Sequence, residues 1–117
     1  MVSACGETSP VPVASSDMCA DVVEVRVEQE PDGTYRFDVT VSSTETGWGK
    51  YADAWEVRAS DGSVLATRLL THPHVDEQPF TRSQGGVSIP VGVDEVEVAA
   101  HDLVEGFCGD TMQVPIR

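Results

Sequence analysis

Basic side chains are scarce in this chain. Lys and Arg number 7 against 20 Asp and Glu, a net charge of -13. Binding to nucleic acid or to an anionic membrane surface relies on Lys and Arg at phosphates, so this balance excludes both as partners. The field favours cations and basic proteins, and at the least it keeps the chain soluble. Long apolar runs are missing too. No stretch reaches the ~18 apolar residues of a membrane-crossing helix, so any membrane association expected here is through an anchor. The signatures G-x-S-x-G and H-E-x-x-H are absent, and Gly47-Trp48-Gly49 and Gly85-Gly86 are too short for a phosphate-binding loop. Nor does any segment show helical spacing over more than a turn. At 117 residues the chain has the length of one domain with one core.

What is present is alternation. Val23, Val25 and Val27 alternate with charged residues, as in a strand with one buried face. After the turn signal Pro31-Asp32-Gly33, Tyr35, Phe37, Val39 and Val41 do the same, which predicts a hairpin. A third strand over 51–60 carries Tyr51, Trp55, Val57 and Ala59 in one phase, and Trp55 reads as core. Asp61-Gly62 turns the chain into a fourth over 63–71, with Leu65 and Leu69 on one face. A fifth is expected over 86–91, with a start as early as Phe80. Val93, Val96, Val98 and Ala100 mark a sixth, and Met112, Val114 and Ile116 a seventh. Seven strands with turns every ~8–12 residues predict an all-β fold, a seven-stranded antiparallel β-sandwich. Over residues 20–117 this pattern resembles the immunoglobulin and fibronectin type III architecture, which brings no functional residues with it.

The first residues, Val2-Ser3-Ala4-Cys5, resemble the lipobox of bacterial lipoproteins. The resemblance implies that Cys5 is lipidated and becomes the mature N-terminus. No charged or apolar leader precedes it, so the leader is expected to lie upstream of Met1 and to be missing from this sequence. Residues 6–16 are small, polar and proline-containing, as a tether would be. Residues 1–18 are therefore expected to be a lipobox-like start and tether, and 19–117 the β-sandwich domain. With Cys5 assigned to lipid, Cys19 and Cys108 remain to pair as a disulfide. Such a bridge persists in an oxidising compartment, here the periplasm or cell surface.

Strand parity then separates the connections. Three short turns fall at one pole. The long connections 43–50, 72–82 and 102–110 fall at the other, where function usually concentrates. All three histidines belong there. In His72-Pro73-His74 the proline favours an extended backbone, so the two imidazoles share a side. His101 offers a third nitrogen and Asp102 a carboxylate to orient its ring, a set suited to Zn²⁺ or Cu²⁺. Against this, two strand spacings, about 10 Å, separate the histidine sites, and His101 shares the outward phase of Glu95 and Glu97. The competing reading has the histidines bonding the backbone of an ordered loop. Trp48, Phe80 and Phe107 are candidate aromatic anchors for a ligand or an envelope protein, with Asp53, Glu77 and Arg82 as polar neighbours. The function expected is an extracytoplasmic, non-enzymatic binding or accessory domain. A metal-free structural or interaction module is the alternative, followed by a Cys–His hydrolase built from Cys108, His101 and Asp102.

Overall fold

The computed structural model describes residues 18–116. Among these residues there are seven strands and no helix: β1 (Asp21–Gln29), β2 (Tyr35–Ser42), β3 (Ala52–Ala59), β4 (Val64–Leu69), β5 (Phe80–Val87), β6 (Glu95–Asp102) and β7 (Met112–Pro115). They form two antiparallel sheets, β1-β2-β5 and β4-β3-β6-β7. The alternation explains the core directly. Phe37, Val39 and Val41 from one sheet, and Trp55, Val57 and Val98 from the other, are fully buried in one apolar cluster. Trp55 is a core residue, as its phase predicts.

The register departs from simple alternation at four points, one of them an extra residue, Leu65, in β4 opposite Val57 and Arg58. A bulge between Val22 and Glu24 makes Val22 the inward residue of β1 and leaves Val23 exposed, against the sequence expectation. In β3 a bulge at Asp53 breaks the pairing between Ala52↔Asp102 and Ala54↔His101, so Ala52 takes the inward place. Another lies in β5, which begins at Phe80, the earlier of the expected starts, and ends at Val87 rather than 91, with Gly85-Gly86 accommodating an extra residue opposite β2. Its middle is polar because β5 is an edge strand, so no alternation announces it. β4 also ends differently. Leu69 is exposed and the inward residue is Leu70.

The two poles are as parity predicts. Segments 30–34, 60–63 and 88–94 close one end and 43–51, 70–79 and 103–111 the other. Two of the short turns are chemically alike. Asp32 and Asp61 each accept from the amide and hydroxyl two residues on, in Thr34 and Ser63. The glycines between them, Gly33 and Gly62, both sit at φ +91°, where a side chain would be strained.

Candidate binding pole

Buried charge holds the long loops together. Glu45 is buried, and its carboxylate accepts from Ser43 Oγ at 2.5 Å, the Ala52 amide at 3.1 Å and the His74 amide at 2.5 Å. Gln78 completes that link, accepting from the Ser43 amide and donating to the His74 carbonyl. Lys50 donates to the Asp102 carboxylate at 2.5 Å and to the Met18 carbonyl at 2.7 Å. The other oxygen of Asp102 accepts from the amides of Val104 and Glu105. Burial raises the Asp102 pKa, but Lys50 and the Glu105 and Val104 amides outweigh it and hold the carboxyl below its ordinary value. The Cys19–Cys108 disulfide forms as expected and ties the start of the domain to the 103–111 loop. Sequence reasoning missed Glu45, Lys50 and Gln78. One signal was available: Lys50 is the sole lysine of an acidic chain.

The histidines divide into two settings. His74 is buried, its ring stacked on Phe80 with centroids 4.0 Å apart, and His72 lies beside it at 4.6 Å. Arg82 Nη2 meets His74 Nε2 at 2.9 Å. A guanidinium only donates, so Nε2 accepts, the proton sits on Nδ1 and the ring is neutral. Burial, then Arg82 and His72, lower the His74 pKa against the opposing pull of Glu45 and Glu77. Nδ1 is buried without a partner among the described residues. His72 is exposed, with Nδ1 3.1 Å from the Pro73 carbonyl. His101 belongs elsewhere. The β3 bulge turns Asp53 toward it, Oδ1 to Nδ1 2.6 Å, and Phe107 meets its ring edge-on at 4.8 Å.

The structure therefore does not bring His72, His74 and His101 together as a Zn²⁺ or Cu²⁺ site. Among the described residues no group of three or more His, Cys, Asp or Glu is placed to hold a metal. The physical reason lies in His74, which has one nitrogen committed to Arg82 and the other buried. Asp102 does not orient His101, because it lies on the inward phase and pairs with Lys50. Cys108 is bonded to Cys19, so it supplies no thiolate for a Cys–His hydrolase. Cys5 lies outside the described residues.

The candidate ligand residues separate in the same way. Phe80 is core rather than surface, 1% exposed. Asp53 and Phe107 stay with His101, where the Arg58 guanidinium lies 4.4 Å over the Phe107 ring. Trp48 and Glu77 border an open groove of about 600 Å³, lined also by His72, His74, Val75 and Asp76 among others. Trp48 is 67% exposed and makes an edge contact with Tyr51, centroids 5.8 Å apart. Arg82 does not line the groove but bonds two residues that do, His74 at 2.9 Å and Glu77 at 3.3 Å. A second cavity, on the outer face of β1-β2-β5, is lined by Arg36, Asp38 and Ser83, which hydrogen-bond one another.

A stretch of 95 residues, 81% of this chain, is 36% identical to a protein of Halomicrobium mukohataei named "Putative lipoprotein". The chain is similar to it over less than half of that protein, 46% of its length. No family model and no solved structure matches the chain.

Proposed function

We propose that this chain is an extracytoplasmic, non-enzymatic binding domain of the cell envelope, held by lipid at Cys5 or secreted, that engages an envelope protein through its long-loop pole. One observation carries the reading: an exposed tryptophan borders a groove whose walls are locked by buried polar bonds. Anchoring aromatics on rigid loops are what interfaces use, since little ordering remains to be done on binding. The name of the similar protein and the disulfide support an extracytoplasmic location and a lipid anchor. The division into a tether over 1–18 and a domain over 19–117 belongs to the same proposal. So does the fold assignment. In the immunoglobulin constant type the fourth strand joins the first two; here β4 pairs with β3, which favours a fibronectin type III-like sandwich.

A photo-crosslinking residue at position 75, on the groove wall with Trp48 kept, tests the binding pole in envelope preparations of the producing cell. A discrete adduct is expected from position 75 and none from position 61 at the other pole. Equal adducts from both, or none, would leave a purely structural module.

A further inference from the structure

We infer that the groove takes a basic, extended peptide segment, with one lysine or arginine side chain seated on the Trp48 indole and facing Asp76 and Glu77. This rests on the binding-pole reading and adds the chemistry of the partner. The first support is a contrast within the molecule. Two aromatic rings already carry a guanidinium, Phe107 under Arg58 at 4.4 Å and Phe80 near Arg82 at 5.7 Å. Trp48 has the best ring for a cation, and its ring contact is the Tyr51 edge, with much of its surface open.

Among the described residues no Lys or Arg lies over the Trp48 ring. Lys50 pairs with Asp102, and Arg82 bonds His74, Glu77 and the Thr81 carbonyl. A cation on Trp48 is therefore expected from a partner. Asp76 and Glu77, both exposed, line the same groove and provide the opposite charge, Glu77 while also reaching Arg82 at 3.3 Å. Val75 and Pro73 give the aliphatic stem of such a side chain a surface to lie on. The net charge of -13 steers a basic partner toward the domain and repels acidic ones. A groove of about 600 Å³ has room for more than one side chain, which suits a segment better than a single small cation.

The test titrates the full chain with a short alternating lysine–glycine peptide, read by calorimetry and by Trp fluorescence. Buried Trp55 contributes a constant background. Saturable binding is expected. Trp48→Ala should weaken it about tenfold, and Trp48→Phe less. The pair Asp76→Asn/Glu77→Gln should weaken it several-fold, and Glu24→Gln/Glu28→Gln on β1 should leave it unchanged. A norleucine–glycine peptide, which keeps the stem and lacks the charge, should not bind. Equal loss from the β1 pair, or no loss from Trp48→Ala, would show diffuse charge attraction and overturn the inference. Equal binding of the norleucine peptide, or tetramethylammonium competing as tightly as the whole peptide, would overturn the segment chemistry. Adducts at position 75 without peptide binding would overturn the cationic partner and leave the binding pole standing.

Discussion

Asp102 has no exposed surface, and its carboxylate is held by one ammonium and two amides. Removing one partner of a buried pair is costlier than the pair itself is stabilising, because the remaining charge stays buried. Asp102→Asn should therefore destabilise the domain by about 3–5 kcal/mol in urea unfolding. A replacement of both partners, Lys50→Met with Asp102→Leu, should cost less than the single change. The effect of acid follows from the lowered pKa. The stability this carboxylate supplies is complete above the ordinary value of 3.8 and is lost as pH falls through the lower folded value. Gly109 constrains the same corner, since a Cβ there would lie 2.0 Å from the Ala20 carbonyl oxygen. Gly109→Ala should fail to fold normally, seen as lost near-ultraviolet dichroism. Part of this was legible. Asp102 falls on the inward phase of Val96, Val98 and Ala100, so alternation already required a buried partner for it. Which residue supplies that partner depends on loop 43–51, where no periodicity speaks.

At the scale of elements, the 70–79 loop depends on a neutral His74 between Phe80 and His72, facing Arg82, Glu77 and Glu45. The unfolded ring takes a proton near 6.5, while the folded ring resists it until lower pH. The unfolded state then binds more protons, so stability should fall as pH drops below 6.5 toward the folded value. Denaturant midpoints at about pH 7.5 and about pH 5 should differ, and His74→Phe should remove part of that difference. The strands were mostly readable, because β2 buries one face cleanly and β6 does so apart from Ala99, which is buried on the other. The exceptions share a cause. Bulges in β1 and β3 shift the phase by one residue, and period-two reasoning has no way to place an inserted residue. The Asp53–His101 pair was hidden for that reason, since alternation alone puts Asp53 inward with Trp55.

For the whole molecule, charge and covalent closure set the terms. Like charges at -13 oppose compaction, and raising salt from about 0.01 M to about 1 M shortens the screening length from about 30 Å to about 3 Å. The melting temperature should rise over that range. The disulfide spans a sequence separation of 89. Cys19→Ser/Cys108→Ser should cost about 4–5 kcal/mol in the chain-entropy account, measured by denaturant unfolding. Strand parity, read from the sequence, correctly separated the two poles. It did not distinguish residues at the same pole that face different sides of the sandwich, which is why the three histidines part company. The position of Met18 and Cys19 has one more consequence. Lys50 and the disulfide hold the first described residues at the pole that carries the groove. With the chain attached through Cys5 as proposed, the attachment would enter the domain at the working end, the pole that carries the groove. The 13 peptide steps from Cys5 to Met18 span at most about 45 Å. That length bounds how far above the membrane a partner can stand and still be caught.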